Sequence, residues 1–312
     1  MMKCKFCFII KGILFLFLNQ CSPTDRLPPF IKDGVLDLSN WDLDSEGPVP
    51  LVGEWEFFFG VLLEPESLQN NTILLKKTLI LAPANWNNFG YDVNNVATYR
   101  VLIRPLEYPK LYAIKLPHFA SAYKLYINGK FVSENGVVNQ KKEIYKPQHL
   151  PTVKYVFVDK PEMEILIQVA NFSDNISGIV EKIYIGTENF IIKKYAFSIG
   201  TEIFYFGIIL IMGIYHLFLF FFRRTELAPL FFGLFSLIMA LRIAITGEKF
   251  FLQIFPDFPW EVHIKAEYLS VFLGLPFFAL FLFYTFQQRE NYPKTRIIEQ
   301  LFSQNFIPFS SK

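Results

Sequence analysis

Cysteine is nearly missing from this sequence: Cys4, Cys7 and Cys21 are the only three in 312 residues, and none follows Cys21. No disulfide framework can hold the later chain together, so its stability must come from packing. Cys4 and Cys7 form a CxxC, but a redox or zinc site needs that motif on a folded strand-helix frame, and here it lies in a leader. Histidine is also scarce, with four copies. No His/Asp/Glu run has metal-ligand spacing, so neither a metal nor another cofactor is expected. Charge of one sign is lacking too: 30 basic and 28 acidic residues leave a formal net charge of +2. Without a one-sign field there is no compositional support for nucleic acid as a partner.

Apolar and aromatic residues are abundant instead. They make up 52% and 18% of the chain, with 37 phenylalanines, above the apolar share of an ordinary soluble domain. Most of the excess falls after residue 200, which divides the chain between two solvents near Ala196. Residues 22–195 read as a water-exposed domain and residues 196–287 as a membrane part. Residues 1–21 run basic, apolar, polar: Lys3, Lys5 and Lys11, then Gly12–Leu18, then Asn19-Gln20-Cys21. That order is a secretory signal, since the apolar run falls far short of the ~20 residues a spanning helix needs. Leu18-Asn19-Gln20-Cys21 resembles a bacterial lipobox and makes Cys21 a lipidation candidate, although Asn19 and Gln20 replace the usual small residues. Ordinary cleavage nearby is the alternative.

The outer domain reads as short strands cut by turn residues, with period-two alternation and no convincing amphipathic helix. In Leu111–Leu116, Tyr112, Ile114 and Leu116 share one face, and in Glu164–Ala170 so do Ile165, Ile167 and Val169. Tyr123–Ile127, Asn128-Gly129 and Lys130–Ser133 spell a hairpin, because Asn-Gly accepts the positive φ that a type I′ turn requires at both centres. Gly53–Gly60 is a further strand, with Trp55, Phe57 and Phe59 on one side and Glu54 and Glu56 on the other. Two carboxylates on one face invite comparison with a glycosidase pair. Neighbours on a single strand rarely straddle a glycosidic bond, however, and a solvated charged face is the expectation.

Gly34-Val35-Leu36-Asp37-Leu38, Trp41-Asp42, Gly53-Glu54-Trp55-Glu56-Phe57, Ala82-Pro83-Ala84-Asn85-Trp86-Asn87, Ala97-Thr98-Tyr99-Arg100 and Tyr123–Lys130 together resemble the galactose-binding-like jelly roll. That domain is the non-catalytic sugar-binding sandwich of β-galactosidases. Leader, jelly roll and apolar helices, taken as one arrangement, resemble the bacterial seven-transmembrane receptors with diverse intracellular signalling modules. The resemblance implies an all-β jelly-roll sandwich followed by an α-helical transmembrane region, an outer domain sensing a carbohydrate or other small ligand, and no catalytic residues. Aromatic and amide side chains suit sugars. Those on presumed loops are Trp86, Asn87, Asn88, Tyr91, Asn135, Gln148 and His149. Trp86 has the plainer reading of a plug at the sandwich end, and His118 that of a satisfied turn residue.

Three apolar runs are long enough to span a bilayer: about 203–222, 227–247 and 268–286, the last bearing Pro276. Arg223 and Arg224, and after the third span Arg289, Lys294 and Arg296, should face the cytoplasm. That places the outer domain outside a bacterial inner membrane, with the lipid bilayer as a partner. Glu248–Glu267 mixes charges with Trp260 and several Phe residues, as an outer interfacial loop does. Arg242, inside the second run, needs a partner. The expectation is Glu202, Glu248 or Glu267 near the outer end, coupling the outer domain to the helices, with snorkelling as the rival. His216 reads as a packing or interfacial group.

Receptors of the resembling kind carry seven spans and a cytoplasmic signalling module, whereas residues 288–312 form a short tail without kinase, cyclase or phosphatase motifs. A truncated or frameshifted product is the expectation. Three functions compete: a sensory receptor or its fragment, which leads; a membrane-tethered carbohydrate-active enzyme; and an assembly subunit that docks through a sheet edge. A second copy of the chain stays open as a partner.

Overall fold

The structure, a computed structural model, describes residues 26–69 and 77–291. The leader with Cys4, Cys7 and the lipidation candidate Cys21, and the tail with Lys294 and Arg296, lie outside the described residues.

Alternating apolar and polar positions build eleven strands: β1 (Val35–Asp37), β2 (Val49–Pro50), β3 (Gly53–Phe59), β4 (Thr78–Ala82), β5 (Asn95–Arg104), β6 (Lys110–Leu116), β7 (Ala122–Ile127), β8 (Lys130–Asn135), β9 (Thr152–Val158), β10 (Met163–Asn171) and β11 (Tyr184–Thr187). One sheet runs β4-β3-β5-β10-β7-β8, with β1 added in parallel along the far end of β5. The other runs β2-β11-β6-β9. Their inner faces share one core. Trp55, Phe57, Tyr99, Ile165, Ile167 and Val169 come from the larger sheet, and Tyr112, Ile114, Leu116 and Ile185 from the smaller. An all-β sandwich is therefore the architecture of the N-terminal part, and the alternation expected for β6 and β10 turns the named residues inward. The hairpin also forms, with Asn128 at φ 48°, Gly129 at φ 76° and Ile127 paired to Lys130.

The outer face of the large sheet differs from expectation over its central strands, where it is covered rather than solvated, while Leu79, Leu81 and Phe131 nearer its edges stay exposed. Leu63 lies buried over it, its N–H donating to Thr98 Oγ1 at 3.0 Å, while Gln168 Nε2 donates to Leu63 O at 2.8 Å. Glu56, expected on a solvated face, is mostly buried. Its carboxylate accepts Arg100 Nη1 at 2.8 Å and Lys77 Nζ at 3.0 Å, and Arg100 Nε reaches Glu164 at 2.6 Å. Glu54 accepts the Asp33 N–H at 3.2 Å. Both carboxylates of this strand are thus engaged in holding the sheet. Gly53, at φ 139°, is where the backbone of residue 31 crosses β3, and a Cβ there would run into the Ile31 carbonyl. Gly53→Ala is expected to cost about 1–3 kcal/mol, read as a lower denaturation midpoint. An unchanged midpoint would refute the close approach.

The chain passes from β11 directly into a helix. Among the described residues the α-helices are α1 (Pro65–Gln69), α2 (Glu188–Phe222), α3 (Ala228–Ile245), α4 (Phe250–Ile254) and α5 (Trp260–Asn291). Three of them, α2, α3 and α5, are long and apolar enough to cross a membrane. At 1.5 Å per residue α3 is about 27 Å long, close to the thickness of the hydrocarbon layer, whereas α2 is roughly 50 Å long and exceeds it. The surplus in α2 is its charged start, with Glu188, Lys193, Lys194 and Glu202 ahead of the apolar run. In α5, Glu261, His263, Lys265 and Glu267 likewise precede the apolar stretch. Both helices therefore begin well before the apolar runs at 203 and 268, and their polar turns stand against the sandwich. Between α2 and α3 the backbones approach at Gly213 and Gly233, where a Cβ on either would lie within 3.2 Å of the other's carbonyl oxygen. This is the small-residue contact expected of apolar helices in lipid.

Candidate functional site

The loops at one end of the sandwich face the helices, and the residues proposed from sequence collect at that end in two groups. Trp86 is fully buried, edge-on to Phe59 at 6.1 Å, its Nε1–H donating to Asp92 O at 2.8 Å. Tyr91 packs on Phe59 at 4.6 Å, and Asn87 Oδ1 accepts Ser177 Oγ at 3.3 Å. Asn88 is exposed and belongs to no polar cluster of the described residues. In the second group Asn135 is buried and donates to Leu150 O, while Gln148 accepts the Gly136 N–H at 2.9 Å and donates to Pro256 O at 3.4 Å. His149 is buried 2.9 Å from Asp174 and edge-on to Trp260 of α5 at 5.7 Å. Trp86, Asn135 and His149 are buried and Asn87, Tyr91 and Gln148 partly so, and the second group is part of a junction between the sandwich and the helices.

That junction is polar and charged. Lys115, near the end of β6, pairs with Glu248 in the turn after α3. The Glu248 N–H donates to Glu202 of α2 at 2.9 Å, and the Glu248 carbonyl accepts Gln253 Nε2 at 2.8 Å. Gln253 in turn accepts the Tyr195 hydroxyl at 2.7 Å. Gly247, at φ 64°, lets Glu202 come this close, since a Cβ there would strike its carboxylate. A cleft of about 540 Å³ opens beside this network, lined among others by Lys115, Glu181, Lys182 and Glu202. His118 and His149 stand 5.2 Å apart, and His118 Nδ1 lies 3.4 Å from Glu181. His118 is not the satisfied turn residue expected from sequence: its Nδ1 makes no hydrogen bond. Burial, reinforced by the nearby Lys249 and His149, pushes its pKa down to about 3. Burial also lowers the pKa of Lys249 and raises that of Glu181.

Arg242 does not meet the carboxylates expected for it. Its Nη1 donates to the backbone carbonyl of Glu267 at 3.0 Å and to Ser270 Oγ at 3.1 Å. Glu248 pairs with Lys115 and Glu202 accepts the Glu248 N–H instead, so a charged link from sandwich to helices runs through Lys115. Sequence reasoning missed this residue, because nothing in a single strand says which loop a lysine will meet.

An open cleft of about 530 Å³ lies at the opposite end of the sandwich, among Arg26, Ser39, Asn40, Trp41, Lys110 and Tyr112. Trp41 is half-buried, with its Nε1–H donating to Gly47 O at 3.0 Å, which fixes the ring. Lys110 pairs with Asp44 and, at 2.6 Å, with Glu107, and these two carboxylates hold its pKa above the usual lysine range against the opposing effect of burial. Hydrogen bonds from Ser45 and the Asp44 N–H keep Asp42 below the usual carboxylate range. Asp42, Asp44 and Glu107 stand close enough to invite a cation. The Lys110 ammonium already supplies the positive charge between Asp44 and Glu107. Trp41-Asp42 in a turn-rich stretch was the available sequence signal for this cleft.

Residues 199–309 match the family model described as 7TM diverse intracellular signalling. No curated protein matches the chain. Solved structures similar to it include a GH2 β-galacturonidase from Eisenbergiella tayi, at 11% identity and TM-score 0.32, over 45% of this chain and 24% of that one. A β-glucuronidase from an uncultured Clostridium sp. gives 14% and 0.34, over 45% and 29%. A putative β-galactosidase from Bacteroides fragilis gives 14% and 0.34, over 44% and 22%. The chain thus spans less than a third of the length of each of these structures. The match over residues 199–309 and the three apolar helices agree that this part of the chain is similar to the membrane region of the seven-transmembrane family with diverse intracellular signalling.

Proposed function

We propose that the chain is a sensory receptor of the bacterial inner membrane, with its sandwich outside the cytoplasm, and that the distal cleft takes a carbohydrate or another small polyhydroxylated ligand without turning it over. The supporting observation is the course of β6. Lys110 and Tyr112 at one end of this strand line the distal cleft, and Lys115 near the other holds Glu248 in the helical part. A ligand that moves Lys110 or Tyr112 moves a hydrogen-bonded rod whose far end is pinned to the helices, which is the differential contact a relay requires. The indole of Trp41 offers an apolar face, and Asn40, Ser39 and Arg26 offer directional donors, as a sugar needs. Glu54 and Glu56 are held by Asp33, Arg100 and Lys77, which weighs against glycoside hydrolysis.

Thermal-shift screening of the full chain in nanodiscs against a sugar panel tests the reading. A ligand at 100-fold its Kd should add about 2.7 kcal/mol of stability, and Trp41→Ala should abolish that gain while leaving the unliganded midpoint within a few degrees. A response that survives Trp41→Ala would move the site elsewhere. The assembly alternative has one observation in its favour, the edge strand β9 with exposed Tyr155 and Phe157. Capture of a protein partner with no ligand response would favour it.

A further inference from the structure

Between α2 and α3, on the sandwich side of the membrane part, lies a groove of about 430 Å³ lined by Ile208, Met212, Phe235, Met239 and Ile243, with Arg242 at its polar end. We infer that this groove holds one anionic phospholipid, its acyl chain along the apolar wall and its phosphate on the Arg242 guanidinium. Three observations lead there. Among the described residues Arg242 has no carboxylate within ion-pair distance, and only its Nη1 donates hydrogen bonds to the protein, to Glu267 O and Ser270 Oγ. Nε and Nη2 keep their donors for an anion, and a fixed guanidinium fork matches two phosphate oxygens better than any other common group. An intramembrane cation left without an anion is costly.

Depth is the second observation. The helix α3 is about as long as the hydrocarbon layer is thick, and Arg242 lies in its last turn before Ile245. A guanidinium there sits where headgroup phosphates begin. The third is exposure: Ile208 and Met212 on the α2 wall face outward rather than into the bundle, so the groove opens where acyl chains are available. Its size falls within the ≈ 300–1,000 Å³ of ordinary small-molecule sites. Gly213 and Gly233 hold the two helices in close contact along the groove, so it is a built feature of the helix pair.

The full chain is reconstituted in nanodiscs of phosphatidylcholine with a minor share of phosphatidylglycerol, extracted gently, and its retained lipids are read by native mass spectrometry. Retention of one phosphatidylglycerol per chain, in preference to phosphatidylcholine, is the expected result. Arg242→Gln can still donate to the Glu267 carbonyl but carries no charge. It should lose retention roughly tenfold or more, since hydrogen bonds to charged groups contribute about 1.5–3 kcal/mol. Ile209→Trp, which fills the groove and leaves the guanidinium in place, should lose it as well, with helical circular dichroism unchanged in both variants. Equal retention of the two lipids, retention that survives Arg242→Gln, or no bound lipid because another helix covers the groove would each overturn the inference.

Discussion

Lys115→Met should lower the stability of the full chain by about 3–5 kcal/mol, the usual cost of stranding one member of a buried ion pair. The pair with Glu248 is sheltered, its side chains 14% and 10% exposed. Removing the lysine leaves Glu248 beside Glu202, whose carboxylate already accepts the Glu248 N–H, and two acids then share a site with no cation between them. The double variant Lys115→Met/Glu248→Met should recover most of the loss, because the desolvated charges disappear together. Lys265 offers the contrast: its pair with Glu261 is 76% exposed on both sides, and Lys265→Met should change stability by no more than about 1 kcal/mol. Denaturation of the wild type and these three variants in one detergent or nanodisc measures the differences, and the Glu248→Met single variant completes the cycle. A Lys115→Met variant as stable as the Lys265→Met variant would remove the ion pair as the link between sandwich and helices. With that link lost, the proposed relay along β6 would have nothing to pull on.

The parts of this molecule that local chemistry decides were legible in the sequence. Asn128-Gly129 could form only a tight turn of positive φ, and the alternating residues of β6 and β10 could bury only one set together. The apolar runs left no solvent but lipid for three helices. What was not legible depends on pairing between distant segments. Glu56 looked like a surface residue until Arg100 from β5 and a covering loop closed over it. Trp86, Gln148 and His149 carried the right chemistry for a sugar, but the sheet order sends their loops toward the helices, where Trp260 and Pro256 meet the last two. Arg242 was marked as a group in need of a carboxylate partner, and it meets the Glu267 carbonyl and Ser270 Oγ instead. Its neighbours were misassigned because Lys115, far away in sequence, takes Glu248 first.

Lowering the pH should unfold the wild type well before His118→Gln, and the difference should grow steadily from about pH 6.5 downward. In the unfolded chain the imidazole takes up its proton near 6.5; in the native protein, burial and the neighbouring Lys249 and His149 hold it neutral until about pH 3. Above pH 6.5 neither state is protonated there and the group contributes no pH dependence. Below it the unfolded state binds a proton that the native state refuses, so stability falls with falling pH. At ~1.4 kcal/mol per pH unit the full penalty approaches roughly 5 kcal/mol near pH 3. Glu181, 3.4 Å away, acts in the opposite sense, because its raised pKa lets the native state take up a proton first as pH falls. It is present in both proteins, as are His149 beside Asp174 and His263 beside Glu267, so the difference between wild type and variant isolates His118. Chemical denaturation at intervals from about pH 8 to pH 4 reads it directly. Coincident pH profiles would show that water reaches His118, and that the contact between the sandwich and the turn carrying Lys249 is looser than this packing requires.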